Sequence, residues 1–323
     1  MSGTDQAGPS SEDRRDFDTR AELVVPEALE GERLDRAVAM LVGCSRSQAA
    51  TLVADGGVEV NGASVTKVSL RLSAGDDLAI HGAPQEEIDD VLPDPGVDFG
   101  VVYEDEHVIV INKPAGLVVH PGAGNRTGTL VNGLLHRYPE IATVGDPARP
   151  GIVHRLDIGT SGLMVAARSQ QAYDELVDQL ASRSVHRTYS ALVLGHLTHP
   201  RGVIDAPIGR SRRDPLRMTV STVGREARTH YELDRSFDEP IETSLITCRL
   251  ETGRTHQIRV HLSSIGHPVV GDDRYGGSRK RLEFKRPFLH ARELAFAHPT
   301  TDEEMWFASE LPGDLSALLA ELN

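Results

Sequence analysis

Cysteine is almost missing: Cys44 and Cys248 are the only two in 323 residues. That is too few for a disulfide framework or a cysteine-based zinc site, so a reducing compartment is the natural setting. No run approaches the roughly 18 apolar residues of a membrane span. Met1 to Arg20 is polar and acidic rather than basic then apolar, so no secretory leader is expected. The location expected from these absences is the cytoplasm. The chain also lacks a Walker A pattern, an H-E-x-x-H pair and a strand-flanked G-x-G-x-x-G, since Gly122, Gly124 and Gly128 have the wrong spacing. Nucleotide-binding and metalloprotease readings lose their main support. What is present is an ordinary composition, 39% hydrophobic, in a chain long enough for about two domains.

The formal net charge is −14, which taken alone argues against a phosphate-rich partner. Its distribution reverses that inference. Residues 1–98 hold 20 acids and 8 bases, a balance of −12, whereas residues 149–292 hold 23 bases and 16 acids, a balance of +7. The acids of the first segment concentrate in 1–32 and 81–98, flanking a neutral stretch. Two basic clusters stand out later, Arg210, Arg212, Arg213 and Arg217, then Arg279, Lys280, Arg281, Lys285 and Arg286. Arginine favours bidentate phosphate contacts, which makes these clusters candidate RNA-binding surfaces. Solvated surface loops would look the same.

Residues 1–20 are polar, acidic and poor in apolar side chains, and are expected to be a disordered tail. A small domain over 21–85 follows. Leu34, Ala37, Val38 and Leu41 have helical spacing, and Ser45 can cap a second helix carrying Ala49, Leu52 and Val53, stopped by Gly56 and Gly57. A strand Val58–Val60 meets Asn61-Gly62, a type I′ hairpin signal, and Leu78–Ile80 is a last strand. Residues 86–98, acidic and then proline-rich, read as a linker. The domain over 99–323 is mixed α/β (α+β). Its expected strands are Val101–Tyr103, Val108–Ile111, Leu163–Ala167, Thr188–Leu194 and Leu245–Leu250. Its expected helices are one capped by Ser169, with Ala172, Leu176 and Leu180 on one face, and one over Thr255–Ile265.

Chemistry concentrates in two stretches. His154-Arg155-Leu156-Asp157-Ile158-Gly159-Thr160-Ser161-Gly162 puts a carboxylate in a loop among cations and glycines. An ordinary aspartate is ionised at neutral pH, which suits a nucleophile rather than an acid, although a turn-capping aspartate is equally at home there. In Gly253-Arg254-Thr255-His256-Gln257-Ile258-Arg259-Val260-His261 the chain crosses from strand to helix, and Arg254 is placed to reach a loop. His256 and His261, five apart, cannot share a helical face, so no metal site is expected. Tyr189 opens a strand with an aromatic face and a polar tip, and could equally be a core residue.

These stretches, with Arg187-Thr188-Tyr189, Ile204-Asp205-Ala206-Pro207-Ile208-Gly209-Arg210, Gly266-His267-Pro268 and Gly271-Asp272, resemble the large-subunit ribosomal RNA pseudouridine synthases of the RluA/RluD family over roughly residues 99–300. Arg33-Leu34-Asp35 and Val58-Glu59-Val60-Asn61-Gly62 resemble the S4 RNA-binding domain that often precedes that catalytic domain. The resemblance implies a bent, mostly antiparallel catalytic sheet. It also implies Asp157 as the nucleophile, Arg155 entering the RNA helix, Tyr189 stacking on the uracil and Arg254 pairing with Asp157. It implies a large-subunit ribosomal RNA or preribosomal substrate, a monomer and no cofactor. Ile158 departs from the family, which often has a basic residue there. Two other readings use the same residues. One is a non-catalytic RNA-binding or ribosome-assembly protein. The other is a glycosidic hydrolase pairing Asp157 with Asp272 or Asp273.

Overall fold

A computed structural model describes residues 19–42, 44, 46–81, 91–122, 125–211, 214 and 217–323. Ser45, Arg212, Arg213 and residues 1–18 of the expected tail lie outside the described residues. The chain divides into two compact units, Met1–Ile88 and Asp89–Asn323.

The first unit comprises β1 (Thr19–Val24), α1 (Leu34–Val42), α2 (Arg46–Ala54), β2 (Val58–Val60), β3 (Ala63–Ser64) and β4 (Asp77–His81). The strands form one antiparallel sheet in the order β1-β4-β2-β3. Thr19 and Arg20, assigned by sequence to the tail, open β1, where Thr19 pairs with His81 of β4 and the register shifts across Arg20 before Ala21 meets Ile80. Asn61 and Gly62 both have positive φ (53° and 75°), as a type I′ turn demands. The core joins Leu34, Ala37 and Val38 of α1 to Ala49, Leu52 and Val53 of α2 and to Val58, Leu78 and Ile80 of the sheet. Leu41 leaves that stripe and is 39% exposed. Asp35 is buried in α1 and accepts from Arg33 Nε and Nη2 (both 3.0 Å) and Arg46 Nε (3.0 Å). The Arg33 hydrogen bond holds its carboxyl down at about 2 against the opposing effect of burial, and Arg46 adds a smaller pull in the same direction.

The second unit runs β5 (Gly100–Glu104), β6 (Val108–Lys113), α3 (Leu130–Arg137), β7 (Ser161–Ala167), α4 (Gln170–Ala181), β8 (His186–Leu194) and β9 (Arg201–Asp205). It continues through β10 (Ile208–Arg210), β11 (Met218–Val220), β12 (Arg228–Phe237), β13 (Thr243–Leu250), α5 (Gln257–Ser264), β14 (Leu289–Ala297), β15 (Glu304–Ala308) and α6 (Gly313–Ala320). Nine strands form one sheet, β5-β6-β7-β14-β8-β13-β12-β9, with β15 also on β14. Every pairing is antiparallel except β7 with β14. Along β6 and β7 successive residues enter opposite cores, as the pleat requires. Ile109, Ile111, Met164 and Ala166 pack with Leu130 and Leu134 of α3. Val108, Val110, Leu163 and Val165 pack with Ala172 and Leu176 of α4, whose first turn is capped by Ser169 Oγ accepting from Ala172 N–H.

The described part of the expected linker, 91–98, is fastened to this unit. The buried Asn132 side-chain amide donates to Leu92 O (2.7 Å), and the Asn132 backbone carbonyl accepts from Asp94 N–H (2.9 Å). An amide buried in α3 needs such partners, and the proline-rich segment supplies them.

Candidate active site

Asp157 sits in the loop before β7, which reaches the middle of the sheet only because Gly162 lies against β14. A Cβ at Gly162 would stand 2.2 Å from Ala291 O, and its φ of 112° is one that other residues rarely adopt. The loop forms one wall of a cleft of about 560 Å³ that is also lined by Tyr189, Arg187, Arg254, His256 and Arg259. The structure therefore brings Asp157, Tyr189, Arg155 and Arg254 around one cavity.

The pairing differs from expectation. Arg259, not Arg254, holds the nucleophile candidate: its Nη1 donates to Asp157 Oδ2 at 3.0 Å. Its Nε and Nη2 grip Asp272 at 2.7 and 2.9 Å, so one guanidinium bridges two carboxylates. Arg254 instead donates its Nε proton to Glu226 O (2.9 Å), and its own N–H is held by Gln257 Oε1 (3.0 Å). The reason is local. Helix α5 starts at Gln257, after a left-handed His256 (φ 56°), so Arg254 remains in the approach to the helix while Arg259, in its first turn, turns inward. Burial pulls the Arg259 guanidinium down, but the Asp272 hydrogen bonds and the Asp157 charge more than offset it and leave its affinity for the proton raised. The signal available in the sequence was the second arginine of the same stretch, five residues on, together with Asp272.

Tyr275 and His256 complete this wall. The Tyr275 hydroxyl accepts from Met218 N–H (3.0 Å) and lies 2.8 Å from His256 Nδ1, while His256 Nε2 is 3.9 Å from Asp157 Oδ1. Burial pushes the His256 imidazole down, against the pull of Asp157. Tyr189 is buried on β8, and burial pushes its hydroxyl up. Arg155 is exposed and donates to His120 Nε2 (2.8 Å), whose Nδ1 lies 2.9 Å from Pro121 O.

The basic clusters behave differently from one another. Arg217 stacks over the Tyr275 ring, 5.3 Å from its centroid, beside the Asp157 wall. Arg210, at the end of β10, is exposed. Arg279, Lys280 and Arg281 are exposed, with Arg279 donating to Gly276 O and Ser278 O. Arg286 is committed to Asp314 and to Gly159 O. The paired-carboxylate hydrolase reading fails on Asp272, which is 1% exposed and saturated by Arg259 and the N–H groups of Arg274 and Tyr275. Asp273 is exposed and outside the cleft lining. Among the described residues no group of three His, Cys, Asp or Glu side chains could hold a metal ion, and no helix is long and apolar enough to cross a membrane.

Residues 107–264 match the model of the RNA pseudouridylate synthase family, and residues 32–78 match the S4 domain. An uncharacterised RNA pseudouridine synthase of Bacillus subtilis, YlyB, is 43% identical over 94% of this chain and 98% of its own length. The chain belongs to the RNA pseudouridine synthases. The ribosomal large subunit pseudouridine synthase D of Xylella fastidiosa is 45% identical over 94% of this chain and 92% of its own. Among solved structures, human RNA pseudouridylate synthase domain containing 1 superposes with a TM-score of 0.56 at 28% identity, over 70% of this chain and 90% of that one. This pseudouridine synthase is an enzyme that isomerises uridine in RNA, and it carries an S4 domain at its N-terminal side.

One residue of the synthase is not among the candidates offered by the sequence: Lys113, the last residue of β6. Lys113 is fully buried, and its Nζ donates to Pro114 O (2.8 Å) and Leu117 O (2.9 Å). The turn so gathered donates Gly116 N–H to Ile158 O (2.7 Å), next to Asp157. Burial pushes the ammonium down to about 7, and the Asp157 charge only partly restores it. The sign follows from linkage. Between about 7 and the ordinary 10.5 the unfolded chain holds a proton that the folded chain has lost, so folding is penalised in full below about 7 and relieved as pH rises. Denaturant titrations from pH 7 to 9 should therefore show the wild type gaining on Lys113→Met by about 1.4 kcal/mol per pH unit. Parallel curves would mean that the buried lysine does not titrate there.

Proposed function

We propose that this synthase converts uridines of large-subunit ribosomal RNA to pseudouridine, with Asp157 as the nucleophile, in the cytoplasm and as a monomer. The observation that carries the site assignment is the Asp157 carboxylate held at 3.0 Å by Arg259 in a cleft it shares with Tyr189. The name of the Xylella fastidiosa relative supports the ribosomal substrate. The S4 domain and the exposed Arg210, Arg279, Lys280 and Arg281 are the proposed RNA-docking elements, with Arg217 reaching toward the site.

The physical sequence is as follows. A uridine inside a duplex hides its reactive atoms, and extruding it costs a few kcal/mol. Arg155, exposed at the mouth, enters the space the base leaves, and Tyr189 stacks on the extruded uracil, which offsets about 1–3 kcal/mol of that cost. The C1′–N1 bond breaks, the base turns, and C5 joins C1′; C5 loses a proton and N1 gains one. Every atom and electron of the nucleotide is retained, so the chemistry calls for no oxidant or group donor.

The test is to map pseudouridine across large-subunit ribosomal RNA in cells with and without this gene, and to incubate the purified protein with the corresponding transcript. The expected result is loss of one or more pseudouridines in the deletion and their formation in vitro, with no free uracil. Tight RNA binding without product would favour the assembly-protein reading, and release of uracil would favour hydrolysis.

A further inference from the structure

Arg187 and Tyr189 lie two residues apart on β8, so their side chains leave the same face of the strand, and both line the cleft. Arg187 is only 7% exposed. Its Nε is buried without a hydrogen-bond partner, and no described carboxylate forms an ion pair with its guanidinium. Arg259, equally buried, shows the usual arrangement, with two carboxylates against one guanidinium. An unmatched buried cation is costly, and folds keep one chiefly where a ligand supplies the missing charge. Gly253 leaves the approach open: a Cβ there would stand 2.9 Å from Arg187 Nη1.

We propose that Arg187 donates to a carbonyl oxygen of the extruded uracil and stabilises the negative charge the base carries while it is detached. This rests on the reading of the cleft as the uridine site. When the C1′–N1 bond breaks, its electron pair leaves with the base and spreads over N1, O2 and O4. The charge is discharged when C5 bonds to C1′, the C5 proton departs and N1 is protonated. A fixed donor in a water-poor pocket, aimed at charge that exists only mid-reaction, accelerates the reaction more than it tightens binding. Depth selects the base over the backbone as the ligand. A phosphodiester stays linked to nucleotides on both sides and must remain near the mouth, where the exposed Arg155 lies, whereas the uracil is the part that can enter beside Tyr189.

The experiment uses the full chain and a transcript containing a uridine that the wild type modifies. Arg187→Met should lower kcat roughly 100-fold with KM near the wild-type value, and Arg187→Lys should recover part of that loss. Transcripts carrying 2-thiouridine or 4-thiouridine at the target supply the decisive arm, because sulfur accepts hydrogen bonds poorly. One of them should slow the wild type while costing Arg187→Met nothing further, a non-additivity that marks a direct contact. The proposal is overturned if KM rises with kcat intact and the salt slope of RNA binding falls by about one, which marks a phosphate contact. It is also overturned if Arg187→Met loses melting temperature while its folded fraction keeps the wild-type kcat and thio response, which marks a structural role. A wild type that forms no pseudouridine would instead sink the assignment of the cleft itself.

Discussion

Asp157→Asn should bind its RNA as the wild type does and form essentially no pseudouridine. Asparagine keeps the shape and can still meet Arg259, but it is no nucleophile, and removing the attacking group from a preorganised site costs at least about 10⁴-fold. RNA affinity should hold or rise slightly, because the change removes an anion from a wall that also carries Arg155, Arg187, Arg254 and Arg259. Single-turnover assays with saturating enzyme, beside filter binding at fixed salt, separate the two effects. Product at a near-wild-type rate would remove Asp157 from the chemistry.

Arg259→Met should damage both folding and catalysis. It strands Asp272, which is 1% exposed, with only the N–H groups of Arg274 and Tyr275, and it frees Asp157. Breaking a buried pair from one side typically costs about 3–5 kcal/mol, because the surviving charge has no substitute for water. The double substitution Arg259→Met with Asp272→Leu should recover most of that stability in denaturant titrations without restoring activity, since Asp157 is still unheld. Arg259→Lys should not replace the arginine, because a single ammonium cannot reach both carboxylates in the geometry of the planar fork. Arg254→Met, losing a hydrogen bond to one backbone carbonyl, should leave stability within about 1 kcal/mol of the wild type. The opposite ranking, with Arg254 indispensable and Arg259 dispensable, would restore the pairing inferred from the sequence.

Arg254 and Arg259 differ in what places them, and so do the other residues of the site. The loop carrying Asp157, the strand carrying Tyr189 and the turn at Asn61-Gly62 are readable because each depends on local chemistry: glycine spacing, strand patterning, paired positive φ values. Arg259 was hidden because the choice between it and Arg254 depends on the residue at which α5 starts. His256 sets that start by taking a left-handed conformation, which nothing in its side chain announces. Lys113 was hidden because its value lies in burial, and a lysine before a proline reads as surface. Short strands such as β10 and β11, three residues each, and the polar, half-exposed β12 offer too little periodicity to be seen. The segment 91–98 looked like a tether because its prolines and acids are typical of one, whereas the buried amide that captures it lies some forty residues away at Asn132.

The place of β14 in the sheet bears on how the enzyme comes into being. Strands β7 and β8 do not pair with each other; β14 alone stands between them, in register with Ser161 on one side and Tyr189 on the other. On a ribosome making this chain, the part bearing Asp157 and the part bearing Tyr189 and Arg259 would emerge as two separate half-sheets, and catalytic competence would be born late, with the strand that zips them together.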